Sequence, residues 1–481
     1  MNRIFTVVQL STIFFILTHS INCDSRIDNS YLKLLEKGRF SEAKELIAEI
    51  LIENTYLSDP EKKELHFEIE RMDRIEKDFN QSETAVLKYI DRYIPGVTVE
   101  ILHRWELEKS LEFMIIDGEK RYFKYAARNL FRLDPTCQLI WRDAHREISN
   151  VKKFDLDGHI EDVIRQHLKT GKKYLHPVRI RIHYSISVNE NVVPQGEIIR
   201  CWIPFPREIP ERQGRIRILK SDPAKYQIAR NDSFLQRTIF FQKVSLGLEK
   251  TWFSVEYEYT THAVYMSIDS SKVIPVYASE ELAPFLKEEP PHIVFTPGLQ
   301  TLSCTIVGEE RNPYLIAKRI YAWIDQNIPW ASAREYSTIR NLSQYCYENR
   351  HGDCGIKALL FITLLRMNGI PARWQSGWEF TPPAHNMHDW GMVYFEPYGW
   401  VPMDVDYGLR QSTDNRLKWF YLNGMDSYRV IFNDAYSQKF FPEKIHFRSE
   451  TVDSQRGELE WGGGNLYFDQ WSWNMKFEVV Q

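Results

Sequence analysis

Apolar positions change their period along the chain, and the changes divide it into regions of different architecture. From about Asp28 to Leu133 apolar residues recur three and four apart. Tyr31, Leu34 and Leu35 precede Gly38, and Phe40, Ala43, Leu46, Ile47, Ile50 and Leu51 follow it. That spacing gives a helix one apolar stripe. Asp59-Pro60 opens a charged helix, Asp59 suiting the N-cap and Pro60 the first turn, with Leu65, Phe67, Ile69, Met72 and Ile75 as its narrow stripe. Further helices are expected near Glu83 to Ile94, Val97 to Leu107 and Lys120 to Leu133.

Between about Pro177 and Met266 the period drops to two. Val178-Arg179-Ile180-Arg181-Ile182-His183-Tyr184, Ile198 to Ile203, Thr238 to Phe241 and Trp252 to Tyr259 read as short strands separated by turns, the pattern of a β-sandwich. A bridge holding Pro284, Pro290, Pro291 and Pro297 leads to mixed helix and strand from about Leu299 to Gly408. The tail carries Trp461-Gly462-Gly463-Gly464, Trp471 and Trp473, whose indoles are expected to pack. The fold class is therefore α+β. Expected boundaries are 1–23 for a signal peptide, 27–150 for a helical domain and 175–268 for the sandwich. A core over 290–420 and a β-rich extension over 421–481 complete the chain.

Composition narrows the partners. Lys and Arg number 61 against 65 Asp and Glu, so a formal charge of -4 disfavours nucleic acid. Hydrophobic residues at 43% are enough for several cores. The run Ile4 to Leu17 behind Arg3 reads as a secretory signal, and the protein as exported to the periplasm, the outer membrane or the extracellular space. Cys23 follows that run, so either simple cleavage or a lipid on Cys23 is open, the latter being the membrane attachment considered. Without Cys23, the thiols are Cys137, Cys201, Cys304, Cys346 and Cys354, an odd number with no CxxC pair, which argues against structural zinc. No cofactor is expected, and a monomer is, because no heptad seam is visible. Asn80, Asn231 and Asn341 fit the glycosylation pattern only by short match.

The chemistry concentrates in Arg350-His351-Gly352-Asp353-Cys354, followed by an almost wholly apolar stretch to Asn368. A helix buried on nearly all sides would begin at Cys354 and end at Gly369 and Pro371. At a helix start, unpaired N–H groups and the dipole favour a thiolate, although most free cysteines are simply small buried hydrophobes. Downstream, His388 to Phe395 alternates as a strand, Glu396-Pro397-Tyr398-Gly399 turns, and Trp400 to Asp404 returns. In such a hairpin His388 and Asp404 fall opposite or nearly so, roughly 5 Å apart if directly paired. The carboxylate would fix the imidazole, and the imidazole would move the proton.

Spacing alone does not bring Cys354 to that hairpin. Gly352-Asp353-Cys354, His388-Asp389-Trp390 and Gly399-Trp400-Val401-Pro402-Met403-Asp404 together resemble the transglutaminase-like superfamily, and Gly369-Ile370-Pro371-Ala372-Arg373 matches its usual helix-to-strand passage. The likeness covers about residues 315 to 408. It implies a papain-like core with a Cys354–His388–Asp404 triad, preceded here by the β-sandwich and the helical domain. It also implies an acyl-thioester on Cys354 formed from a peptide or protein amide, with water favoured as acceptor. Glutamine cross-linking and a non-catalytic peptide- or glycan-binding module are the alternatives. The family often supplies an aromatic oxyanion donor upstream of the nucleophile, for which Trp330 is the candidate, a packed indole being its other role. Asp353 suits a helix cap. His351, His385 and Asp389 beside His388 invite a metal, but the triad already accounts for His388 and no metal is expected. Arg373, Trp374 and Gln375 would line the cleft or support it, and Glu335-Tyr336 would sit on an exposed loop or bind substrate.

Overall fold

The computed structural model describes residues 29–145, 154–277 and 279–480. The expected signal peptide and Cys23 lie outside the described residues. No helix among them is long and apolar enough to cross a membrane.

The chain divides into two units, residues 1–69 and 70–481. In the first, α1 (Ser30–Glu36) packs on α2 (Phe40–Glu53), whose Phe40, Ala43, Ile47 and Ile50 are buried along the face that the spacing predicts. α3 (Asp59–Asp78) crosses the boundary between the units. In the second, α4 (Glu83–Ile90) and α5 (Val99–Leu107) begin at caps where Ser82 and Thr98 accept backbone N–H groups. The segment expected to be helical from Lys120 differs. Glu119–Tyr122 is a strand, β2, paired with β1 (Phe113–Ile116) across Asp117-Gly118, both at positive φ as a tight hairpin turn requires. α6 (Ala126–Leu133), α7 (Pro135–Ala144) and α8 (Leu156–Thr170) follow.

Two sheets form the sandwich. In β3 (Tyr174–Val188) the alternating Ile180, Ile182, Tyr184, Ile186 and Val188 all point into the core. It pairs with β8 (Thr251–Tyr265), which also pairs with β5 (Gln213–Asp222). The facing sheet contains β4 (Ile198–Pro204), β7 (Thr238–Val244) and the short β6 (Gln227–Ile228).

Four helices then gather: α9 (Pro297–Val307), α10 (Pro313–Asn327), α11 (Leu342–Asn349) and α12 (Cys354–Met367). α12 is surrounded. Every residue from Gly355 to Arg366 is buried, against helices on one side and a sheet on the other. That sheet runs β11 (Gly399–Met403), β10 (Ala384–Phe395), β9 (Ala372–Thr381), and finally β13 (Arg429–Asn433) from the tail. Gly391 lets the layers approach, since a Cβ there would stand 2.8 Å from the Arg373 carbonyl and 2.4 Å from Met403.

The tail does not form a sheet of its own. β12 (Gly424–Met425) pairs with β8, β14 (Glu458–Trp461) with β4, β15 (Gly464–Leu466) with β14, and β16 (Trp471–Val480) with β3. The expected extension over 421–481 thus closes both sandwich sheets and edges the core sheet. The sandwich core also continues into the core sheet, where Trp378 stacks on Tyr184 at 4.8 Å between ring centres.

A chain truncated after residue 457 should lose its cooperative thermal transition by circular dichroism. β16 covers β3 over its full length and contributes buried Trp471 and Met475. A truncated protein that melts like the full chain would show the sandwich to be complete without the tail.

Candidate active site

β10 carries neighbouring residues to opposite faces, and this decides the site. In the β10–β11 hairpin Gly391 pairs with Met403, so the same register continued sets Trp390 across from Asp404 and His388 two places on, on the same face. The contact expected from the pattern is made diagonally: His388 Nε2 lies 2.7 Å from Asp404 Oδ2. The other nitrogen, Nδ1, makes no hydrogen bond among the described residues.

Asp404 is wholly buried and fully occupied. Its Oδ2 also accepts from Arg429 Nη1 at 2.6 Å, and its Oδ1 accepts from the backbone N–H groups of Asp406 at 3.1 Å and Tyr407 at 3.3 Å. Arg429, equally buried, donates through Nε to Asp426 Oδ2 at 2.9 Å and lies over the rings of Tyr407 and Trp390. Arg429 and Asp426 were missed in the sequence because both fall in the tail. A lone Arg in the apolar run Arg429-Val430-Ile431-Phe432 was the available signal, because a strand buried at every position holds a charge only when it is paired.

These partners set the charge states. Burial alone would lower the His388 pKa, but Asp404, and Glu379 at 3.8 Å, outweigh it and raise it to about 9. Burial would raise Asp404, but His388 and Arg429 hold it well below the usual carboxylate range. Each partner therefore favours the charged form of the other, carboxylate on Asp404 and imidazolium on His388.

Cys354 arrives from the other face. Asp353 caps α12 as expected, its Oδ1 accepting from Ile356 N at 3.2 Å and from Tyr336 Oη at 2.7 Å. The half-buried thiol at this helix start donates to Asp389 Oδ2 at 3.5 Å, the residue beside His388 on β10. Packing of α12 on β10 thus supplies the proximity that spacing could not, but no hydrogen bond joins Cys354 to His388 among the described residues. The surroundings oppose the thiolate that the helix start favours. Burial pushes the thiol well above its ordinary value, and the carboxylates of Asp389, Asp353 and Asp406 push the same way.

The main chain around Trp330 pairs with that around Gly352, Ala331 N donating to Gly352 O at 3.1 Å and Gly352 N to Pro329 O at 3.3 Å. Trp330 therefore stands beside the start of the nucleophile segment. It is 39% exposed, with the Arg132 guanidinium 4.5 Å above its ring. Glu335 and Tyr336 are not on an exposed loop: Glu335 pairs with Arg456 and Lys124, and Tyr336 is buried against Asp353. Arg373 and Gln375 both donate to Asp434, at 2.9 and 3.0 Å, and line a cavity of about 190 Å³, while Trp374 is buried. His351 is buried against Tyr345. The described group of side chains near enough to share an ion is Glu83, His103 and Glu106, away from His388, and Lys120 already pairs with both glutamates. The five described cysteines are all free, with Cys304 exposed.

A cysteine at the start of a buried helix, packed on the strand of a His–Asp hairpin, is the geometry of this region. Residues 300–405 match the family model of the transglutaminase-like superfamily, so the chain carries a transglutaminase-like core. A segment of 129 residues is 23% identical to the uncharacterized protein YebA of Bacillus subtilis (strain 168), covering 23% of this chain and 18% of that one. Among solved structures, the chain is similar to a Cytophaga hutchinsonii protein provisionally described as a cysteine protease. That likeness has 19% identity and a TM-score of 0.44, over 64% of this chain and 91% of the other. It is also similar to the periplasmic domain of TgpA from Pseudomonas aeruginosa, with 13% identity and a TM-score of 0.24, over 56% and 97% of the two chains.

Asp404 should govern the titration of His388. By proton NMR the His388 ring is expected to titrate near 9 in the native protein and at lower pH in Asp404→Asn, because burial then acts against Glu379 alone. A raised His pKa stabilises the fold fully below about 6.5, the unfolded value, and that contribution is lost as pH rises through about 9. An unchanged midpoint in the variant would remove Asp404 as the cause.

A methyl group at residue 355 should destabilise the helix start. The Cβ of Gly355→Ala would lie 2.3 Å from Tyr336 Oη and 2.7 Å from Asp389 Oδ2. A loss of about 1–3 kcal/mol in urea unfolding is expected from overpacking. Unaltered stability would mean that Tyr336 and Asp389 yield freely.

Proposed function

We propose that the protein is an exported cysteine-dependent amide hydrolase of transglutaminase-like type, acting on peptide or protein substrates through Cys354, His388 and Asp404. The observation that carries this reading is the buried Asp404 carboxylate holding His388 Nε2 at 2.7 Å, one residue along β10 from the contact made by the Cys354 thiol. With Nε2 fixed on Asp404, Nδ1 is the nitrogen free to exchange a proton with sulfur.

The steps follow from those positions. Starting from the neutral imidazole of His388, the thiol proton passes to Nδ1 as Sγ attacks the amide carbonyl carbon, and the carbonyl oxygen becomes an oxyanion. The backbone N–H of Cys354, unpaired at a helix start, and the Trp330 indole N–H are the donors assigned to it. Collapse breaks the C–N bond, the amine leaving with the proton from His388, and a thioester remains. Water, losing a proton to Nδ1, then releases the acid and restores the thiol. An imidazolium supported by two carboxylates is a good donor to a leaving amine. A primary amine in place of water would give a cross-link from the same thioester.

Cys354 and exposed Cys304 supply an internal comparison. Iodoacetamide adducts mapped by mass spectrometry should form on Cys354 in a manner that depends on His388. His388→Ala is expected to slow Cys354 labelling about 10²-fold near neutral pH, and less at high pH, without slowing Cys304. An equal Cys354 rate in both proteins would remove His388 as its base. Incubation with a peptide mixture, with and without a primary amine, identifies the acceptor. Cleaved or deamidated products are expected, and amine adducts in their place would make the protein a transferase.

A further inference from the structure

The triad leaves Asp389 unused, although it is the residue that touches the nucleophile. Its position follows from strand alternation: His388 faces Asp404, so Asp389 faces α12 and the sandwich side, paired across β10–β9 with Ser376. Each of its oxygens is engaged. Oδ1 accepts from Gln455 Nε2 at 2.6 Å, and Oδ2 receives the Cys354 thiol at 3.5 Å with Tyr336 Oη at 3.4 Å. Gln455 also donates to the His388 carbonyl at 2.9 Å, which fixes the carboxyl against the main chain of the triad histidine. Gly355 is a glycine at this same point, because a Cβ would enter the space held by Tyr336 and Asp389.

The surroundings of Asp389 are acidic from every packed element. The start of α12 contributes Cys354 and Asp353, the turn at 336–338 contributes Tyr336, and the segment before β14 contributes Asp453 and Glu450. Asp453 is hydrogen-bonded to Asp389. The nearby cations, Arg448 and Arg456, act on Asp453, and Arg456 is already held by Glu335. Burial, then Asp453 and Asp353, raise Asp389 well above an ordinary carboxyl, and Asp453 rises to about 6. Two buried carboxyls in contact cannot both ionise cheaply, so they share a proton.

We propose that Asp389 is a positioning residue for the nucleophile: as a carboxylate it takes the thiol's hydrogen bond and keeps Cys354 protonated, and as a carboxylic acid it releases Cys354 to His388. The inference rests on the triad reading above. The two forms act oppositely on sulfur. An Asp389 carboxylate accepts S–H and repels a thiolate, whereas the acid has its own O–H to give to the thiolate while the sulfur's proton goes to His388 Nδ1. Ionisation of Asp389 therefore lowers the reactivity of Cys354 relative to a simple thiol, while His388 takes the proton only as its neutral imidazole.

The test is the pH profile of Cys354 alkylation by iodoacetamide, divided by that of Cys304 in the same molecules, in the full-length protein. In the native protein this ratio should fall as pH rises through the titration of Asp389. Asp389→Asn should abolish the fall and raise the ratio at pH 8 about tenfold, the effect of one unit in thiol pKa. Asp453→Asn should keep the fall but move it to lower pH, because Asp389 then ionises without a like-charged partner. A native fall that persists unchanged in Asp389→Asn, or that stays in place in Asp453→Asn, overturns the proposal. The second variant decides the matter if the first does not fold. Failure of the triad itself would show differently, as a Cys354 rate indifferent to His388→Ala in all backgrounds.

Discussion

One buried carboxylate organises the site. Asp404 has no solvent and accepts from an imidazole, a guanidinium and two backbone N–H groups. A charge in that position is tolerable only because every acceptor direction is filled and two of the donors are cationic. The cost of losing one partner is correspondingly large, about 3–5 kcal/mol for breaking a buried pair by removing one side. Arg429 is the partner that ties this arrangement to the rest of the chain. It also holds Asp426, and it is delivered by β13, a tail strand added to the edge of the core sheet. The tail that closes the sandwich therefore also supplies the cation that favours an ionised Asp404.

On the opposite face of the same strand a second carboxyl has the opposite fate. Asp404 is surrounded by positive charge and stays ionised, while Asp389 is surrounded by Asp353, Asp453 and Glu450 and is driven toward the acid. Environments that push like groups apart are the usual way in which one site separates its acid and base roles. Here the separation is built from alternation alone, because residues 388 and 389 must face opposite sides of β10. Cys354 reaches the strand on the acidic side, at the start of a helix buried from Gly355 to Arg366.

Burial has a double effect on that helix. An almost wholly apolar α12, buried from Gly355 to Arg366, holds Cys354 against β10. The same burial raises the thiol pKa, in opposition to the helix start.

Much of this was legible in the residues. The heptad-like spacing of α2, the alternation of β3, the apolar run after Cys354 and the β10–β11 hairpin each fix a period, and a period determines which face is buried. The diagonal His388–Asp404 contact followed from hairpin register, a local property. The Asp117-Gly118 hairpin was missed because its strands are only four residues long and partly polar. Other features depend on partners distant in sequence. The approach of Cys354 to Asp389, the grip of Arg429 on Asp404, the burial of Glu335 and Tyr336, and the sharing of the tail between two sheets all join residues that no short-range pattern connects. The sequence by itself determined which residues could perform the chemistry, because local period and turn residues set their faces. The tertiary structure alone decided their charges, because a pKa depends on which groups folding brings within a few ångströms and on how much water it removes.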